Sequence, residues 1–153
     1  MISTAQTSRP RKVFAIDVGY GQLHDKLRKD PRVVVMERTN ARHLTPDDLP
    51  ERVDLIVIDA SFIGLDKLLP AARGLLKETG EIIALIKPQF EVGKGQVGKG
   101  GVVRDPEQHV QVIENIKLLA GKSGCQVVSL CESPILGPKG NREFLIHLRT
   151  GRL

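Results

Sequence analysis

The chain has 153 residues and a formal net charge of +5, with 41% hydrophobic and 27% charged residues. These values are typical of one soluble globular domain with a sizeable aliphatic core. No apolar run approaches the roughly 20 residues of a membrane helix, and the opening segment MISTAQTSRPRK lacks the apolar centre of a signal peptide, so a secreted, pore-forming cytolysin is not supported.

Strand and helix signals alternate along the chain. Apolar runs predict six strands, at residues 13–18, 33–36, 53–59, 81–86, 126–131 and 143–148. Apolar residues at helical spacing predict three helices, at residues 22–29, from Phe62 to a stop at Gly80, and from Asp105 onward. This alternation predicts an α/β fold with a mainly parallel sheet. We expect an irregular basic leader over residues 1–12 and one domain over residues 13–150.

The last helix has a marked beginning. Asp105 is its predicted N-cap, Pro106 takes the first helical position, and Gln108 stands where a capping box places its return hydrogen bond. The segment before it, KPQFEVGKGQVGKGGVVR, is too rich in glycine for a regular element. We therefore expect a flexible loop there.

The positive charge is concentrated in the leader and in this loop. The loop cations are Lys94, Lys99 and Arg104. Such a group fits a polyanionic partner, and a solvated basic surface is the alternative.

The two cysteines predict a reducing environment. Cys125 and Cys131 lie six residues apart in one predicted strand, which separates them by roughly 20 Å, far beyond the reach of a disulfide. Reduced thiols predict a cytoplasmic location. We expect no metal site.

Polar residues stand at the carboxyl ends of three predicted strands, where ligands bind in such sheets. These residues are Asp17, Asp59 and Lys87. Each has a structural alternative. Asp17 could form an acidic turn, Asp59 could cap the next helix, as could Ser61, and Lys87 could extend its ammonium to water.

Glu143 follows a turn and begins the last predicted strand. A structural interpretation pairs it with Arg142 or Lys139. These possible partners leave the role of Glu143 open.

One nucleotide-binding motif is incomplete. Gly93, Gly98 and Lys99 match the first part of a P-loop, but position 100 is glycine, where serine or threonine must bind magnesium. No helix begins there either. Nucleoside triphosphate binding is therefore disfavoured.

Three segments in combination carry a resemblance over residues 13–149. VIDASF (57–62), IKPQFEVGKG (86–95) and GPKGNREFL (137–145) resemble the methyltransferase domain of the TlyA family, FtsJ-like ribosomal RNA 2'-O-methyltransferases that are often called hemolysins. The resemblance implies a Rossmann-like class I methyltransferase fold with an antiparallel last strand. It also implies S-adenosylmethionine as cofactor and ribosomal RNA or ribosomal subunits as partners.

The resemblance also assigns roles to residues. The family has a catalytic Lys, Asp, Lys, Glu tetrad, and Asp59, Lys87 and Glu143 match its last three members in motif and order. A ribose 2'-hydroxyl is a poor nucleophile, so it needs a base or a strongly oriented hydrogen bond, for which Lys87 is the candidate. Acidic neighbours would favour the ammonium form of this lysine.

The cofactor contacts implied by the resemblance are Asp17 for the ribose hydroxyls, Asn40 for adenine, and the main chain at Asp59 and Ala60. The implied RNA contacts are the loop cations Lys94, Lys99 and Arg104. The family's glycine-rich cofactor turn has no counterpart here, because no glycine precedes Gly19. We therefore expect an amino-terminally truncated domain, in which the first strand, the turn, the first lysine and an S4-type RNA-binding domain are missing.

Two functions remain open at this point. One is an S-adenosylmethionine-dependent rRNA 2'-O-methyltransferase, or the larger part of one, and the other is an inactive relic that binds RNA or protein through the same surface. The missing first strand would leave two apolar strand edges, at residues 13–18 and 53–59. Those strands could pair directly, stay open, or be covered by another copy of the chain, and self-association is the outcome that we favour.

Overall fold

In the computed structural model of the protein, residues 9–93 and 95–151 are described. The chain divides into two compact units, residues 1–43 and residues 44–153. Part of the predicted leader lies outside the described residues, and the predicted RNA contact Lys94 lies outside them as well. The predicted domain, residues 13–150, includes parts of both units.

The first unit contains a parallel pair of strands. Strand β1 (Val13–Ile16) pairs with β2 (Val33–Met36) in register, and the short helix α1 (Asp25–Arg28) connects them. The predicted helix at residues 22–29 is wrong in length. Gly21 has a φ of 70°, and the His24 side chain accepts the Lys26 amide hydrogen, so the helix begins only after them.

The second unit is a four-stranded sheet with helices. Its strands lie in the order β3 (Val53–Ile58), β4 (Leu76–Ile86), β6 (Phe144–Thr150) and β5 (Cys125–Glu132). Its helices are α2 (Leu65–Leu75), α3 (Pro88–Glu91) and α4 (Pro106–Lys122). Strand β4 runs parallel to β3, and β6 runs antiparallel to both β4 and β5. The predicted antiparallel last strand is confirmed.

One face of this sheet forms the core. Ile82, Ala84 and Ile86 of β4 stand opposite Leu148, Ile146 and Phe144 of β6 and are fully buried. Buried side chains of α2 and α4 complete the core, among them Leu65, Leu68, Leu69, Ala72, Val112, Ile116 and Ala120. Burying each larger aliphatic side chain contributes about 1.5–3 kcal/mol, so this layer fixes the sheet that carries the candidate site.

The predicted boundary between α2 and β4 is wrong. The helix ends at Leu75, and the strand begins at Leu76, five residues before the predicted start at residue 81. Leu76 pairs with Val53 of β3, and the hydroxyl of Thr150 on β6 lies within hydrogen-bond distance of the carbonyls of Glu78 and Gly80, so the segment before residue 81 joins the sheet. A contact across 70 residues thus overrides the local glycine signal.

The start of α4 is confirmed in part. Asp105 is the N-cap, and its carboxylate accepts the Glu107 amide hydrogen at 2.9 Å. The predicted capping box is wrong: the Asp105 carboxylate accepts from Glu107 rather than Gln108, and the Gln108 side chain donates to the carbonyl of Gln96 at 3.1 Å. This bond ties the glycine-rich loop to the first turn of α4.

The six described strands form two separate sheets. Within them, β1 pairs only with β2 and β3 only with β4. Across residues 9–93 and 95–151, no helix is both long enough and apolar enough to cross a membrane.

Candidate active site

The second unit brings three predicted site residues to one edge of its sheet. Asp59 follows the carboxyl end of β3, and Lys87 follows the carboxyl end of the parallel strand β4. Because β6 is antiparallel, its amino end lies at the same edge, where Phe144 pairs with Ile86. Glu143 directly precedes Phe144, so the strand directions alone explain why these side chains converge.

Lys87 and Asp59 form an ion pair. The Nζ of Lys87 lies 2.6 Å from Oδ1 of Asp59 and donates to Oγ of Ser61 at 3.1 Å. Lys87 is 9% exposed, whereas 68% of the Asp59 side chain is exposed. The ammonium is therefore held below the surface by a carboxylate that faces solvent.

These contacts overturn the structural alternatives for the two residues. The N-cap of α2 is Gly64, without a side-chain hydrogen bond, so neither Asp59 nor Ser61 caps this helix. Lys87 does not extend its ammonium into open solvent, because its side chain is 11% exposed and its Nζ contacts Asp59 and Ser61.

Glu143 is held by a residue that the sequence did not single out for this role. The side chain is 5% exposed, and its Oε2 accepts from Nε2 of Gln89 at 2.8 Å. The predicted alternative, a pair with Arg142, is wrong, since Arg142 binds Glu132 at 2.7 Å. Gln89 lies two residues after Lys87, so the amide bridges Glu143 to the segment that carries the lysine.

Glu91 connects the two loops that carry Lys87 and Asp59. It ends α3, which begins directly after Lys87, and its Oε1 accepts the Leu65 amide hydrogen at the start of α2 at 2.9 Å. Burial raises the pKa of Glu91 to about 7, opposed by the Leu65 hydrogen bond and reinforced by the charge of Asp66.

An aromatic side chain stands beside this network. Phe62 is 90% exposed and has a φ of 63°, a conformation that is a genuine outlier for a bulky residue. Its ring packs against that of Phe90 at a centroid distance of 4.9 Å. The loop that carries Asp59 thus also carries an exposed aromatic ring, that of Phe62.

The two described loop cations are exposed and lie close together. Nη1 of Arg104 donates to the carbonyl of Lys99 at 3.0 Å. Lys99 lies in a short 3-10 turn, Lys99–Gly101, and Arg104 follows it before the N-cap of α4.

The first unit contains the other predicted cofactor residues. Oδ1 of Asp17 accepts the Gly19 amide hydrogen at 2.8 Å, and the Asp17 carbonyl accepts from the Thr39 amide at 3.0 Å. Asn40 follows Thr39, and its Oδ1 accepts the Arg42 amide hydrogen at 3.2 Å. Both side chains are exposed and oriented by their local turns, while Asp59 and Ala60 belong to the second unit.

Comparison with known proteins gives a consistent result. Residues 2–150 match the model of the FtsJ-like methyltransferase family. Over 138 residues, the chain is 53% identical to the 16S/23S rRNA (cytidine-2'-O)-methyltransferase TlyA of Mycobacterium tuberculosis. This aligned region covers 90% of this chain and 52% of that relative. The chain spans about half the length of the curated relatives that it matches first.

Solved structures show the fold. A hemolysin-named protein from Lactococcus lactis is 46% identical, with a TM-score of 0.89 over 92% of this chain and 68% of its own. The fibrillarin pre-rRNA processing protein of Methanococcus jannaschii is 18% identical, with a TM-score of 0.65 over 92% of this chain and 57% of its own. The predicted class I methyltransferase fold is confirmed.

Proposed function

The chain belongs to the FtsJ-like methyltransferase family, and we propose that it carries the catalytic residues of an S-adenosylmethionine-dependent rRNA 2'-O-methyltransferase. The observation that supports this most strongly is the buried Lys87 ammonium, paired with Asp59 at 2.6 Å at the carboxyl edge of the sheet. The M. tuberculosis relative is named for methylation of cytidine 2'-oxygens, and we extend that reaction class to this chain.

Lys87 is the proposed group that touches the nucleophile. An ammonium has three N–H donors, and Asp59 and Ser61 accept from two of them. The third can donate to the ribose 2'-oxygen and direct its lone pair toward the methyl carbon. As the methyl carbon bonds to this oxygen, the hydroxyl proton becomes acidic and can leave to the exposed Asp59 carboxylate or to water.

Glu143 is the proposed third member of the catalytic group. Its carboxylate is buried and fixed by Gln89, so it cannot swing freely toward solvent. A fixed negative charge at this edge stabilises positive charge on Lys87 and accepts a hydrogen bond from the ribose.

S-adenosylmethionine supplies an electrophilic methyl group on a sulfonium. The residues of the first unit fit part of this cofactor: Asp17 exposes a carboxylate whose Oδ1 is held by Gly19, which leaves Oδ2 to accept from a ribose hydroxyl. Asn40 offers an exposed side-chain amide for adenine. Asp59 and Ala60 remain cofactor contacts predicted from the resemblance alone.

The proposed partner is ribosomal RNA in the cytoplasm. Exposed Lys99 and Arg104 are suited to its phosphates, and Phe62 offers an aromatic face on which a base can stack. Cys125 and Cys131 are free thiols, which supports a reducing compartment.

The second candidate is an inactive relic that binds RNA or protein through the same surface. It would use the same exposed residues, Lys99, Arg104 and Phe62, and would require no cofactor. Transfer of a tritiated methyl group to ribosomal subunits separates the two. Label in the RNA supports the enzyme, and RNA binding without label supports the relic.

A further inference from the structure

Two loops at the edge of the second unit are joined by one buried side chain. Asn141 is 2% exposed, and its Oδ1 accepts the Val103 amide hydrogen at 3.0 Å. Its Nδ2 donates to the carbonyl of Gly101 at 3.0 Å and to that of Pro138 at 3.0 Å. The glycine-rich loop at residues 98–104 is therefore fixed to the turn at residues 137–141, which leads directly into Glu143.

His109 supports the same junction from α4. Its side chain is 5% exposed, and Nε2 lies 2.9 Å from the carbonyl of Val103. Gly98 and Val102 also share a backbone hydrogen bond of 3.1 Å across the loop. Hydrogen bonds thus hold the loop at residues 98–104, so the backbone that carries Lys99 and Arg104 has a defined position.

Three basic residues, Lys99, Arg104 and Lys139, lie in the segments that meet at this junction. Arg104 donates to the carbonyl of Lys99, and Nζ of Lys139 lies 3.4 Å from the position that a Cβ of Gly101 would occupy. All three residues are exposed. In the part of the chain that the structure describes, none of them forms an ion pair with a carboxylate.

Lys139 occupies a backbone conformation that lysine rarely adopts. Its φ is 60° and its ψ 17°, between Pro138 and Gly140, whose own φ is 85°. Glycine or asparagine would adopt this left-handed conformation at a lower conformational cost. A lysine held there at a cost in stability indicates a role for its ammonium outside the fold.

We propose that Lys99, Arg104 and Lys139 form a clamp for the phosphates of single-stranded RNA. The clamp rests on the proposed function and adds Lys139 to its RNA contacts. Because Lys139 lies in the hydrogen-bonded turn that leads into Glu143, a phosphate bound by the clamp lies on the side of the sheet edge that carries this carboxylate. The clamp therefore positions the substrate strand at the carboxyl edge of the sheet.

The test uses Lys139→Gly. This substitution removes the ammonium and also relieves the backbone strain of a lysine in the left-handed conformation. The probe is a fluorescein-labelled single-stranded RNA of about twelve nucleotides, titrated by anisotropy at several salt concentrations. We expect affinity to fall about fivefold and the slope of log K against log salt to decrease by about 0.7, as for one lost phosphate contact. The melting temperature should rise, because the strain is gone.

Lys122→Ala is the matched control, since it removes an exposed lysine at the end of α4, away from the clamp. It should leave the affinity within a factor of two of wild type. Lys139→Gly with unchanged affinity and salt slope would overturn the clamp, as would an equal loss in the Lys122→Ala variant. The titration contains no cofactor, so a failure of methyl transfer would count against the proposed function and leave the clamp result intact.

Discussion

The side-chain amide of Gln89 donates to the carboxylate of Glu143 at 2.8 Å and thereby joins residues 54 positions apart in the chain. Gln89 lies on the segment that begins with Lys87, so this one bond positions the last acidic residue of the site relative to the lysine. The other amide atom, Oε1 of Gln89, is buried without a hydrogen-bond partner among the described residues.

Gln89→Leu should destabilise the protein by about 1–3 kcal/mol, because it leaves the buried Glu143 carboxylate without its donor. Urea denaturation measures this difference. In a Glu143→Leu background the same change should cost little, since both polar partners are then gone. Equal costs in the two backgrounds would show that the bond does not couple these residues.

Glu91→Gln should change the pH dependence of stability. The pKa of Glu91 is raised from 4.5 to about 7, so its favourable contribution is fully present below about pH 4.5 and is lost as pH rises through 7. Glutamine keeps an acceptor for the Leu65 amide and does not ionise. We expect the variant to match wild type near pH 4.5 and to exceed it by about 2 kcal/mol near pH 8.

Thermal unfolding between these pH values is the measurement. A Glu91→Gln profile parallel to that of wild type would contradict the raised pKa.

The 153-residue chain should bind S-adenosylmethionine weakly or not at all. The proposed contacts of Asp17 and Asn40 are to the adenosine part alone, and within these 153 residues no glycine before Gly19 provides a turn for the methionine part. Calorimetric titration measures the affinity. A dissociation constant in the low micromolar range would show that other backbone donors replace the turn.

Self-association is expected through the strand edges. Strands β1 and β3 each pair with one strand among the described residues, and Leu55 and Val57 of β3 are exposed apolar side chains. Unpaired apolar edges favour pairing with another copy. Sedimentation at low micromolar concentration should detect dimers or larger species, whereas a compact, cooperatively unfolding monomer would contradict this expectation.

Much of the candidate site could be predicted from sequence, because its residues stand at the ends of predicted strands. Asp59 and Lys87 directly follow apolar runs, and parallel neighbours place such residues at one edge. Glu143 joins them because the last strand is antiparallel, a feature that came from the family resemblance. The bond from Gln89 to Glu143 was not predictable, because it depends on the short helix α3.

Long-range contacts explain the remaining errors. Gly80 is a clear local stop signal, yet Thr150 draws its segment into β4. Gln108 fits a capping box, yet the neighbouring loop offers it the Gln96 carbonyl. Nothing about a lysine in the sequence predicts the left-handed conformation of Lys139. The flanking Pro138 and Gly140 predict only that a turn is present.

Lys87→Met provides the most direct test of the catalytic account, because methionine keeps the aliphatic stem and removes the ammonium. The assay transfers tritiated methyl groups to undermethylated ribosomal RNA at about 1 mM S-adenosylmethionine, so that weak cofactor binding does not limit the rate. The RNA is then digested to nucleosides and separated by chromatography. Thermal unfolding confirms that the variant is folded, and Lys122→Ala serves as the active control.

We predict that any label transferred by the wild-type chain lies in 2'-O-methylated nucleosides, and that Lys87→Met transfers it at less than about a tenth of the wild-type rate, since general-base contributions reach roughly 100-fold or more. Label on the bases, or a folded Lys87→Met variant that retains more than about a tenth of the wild-type rate, would contradict the role of the Lys87–Asp59 pair in 2'-O-methylation.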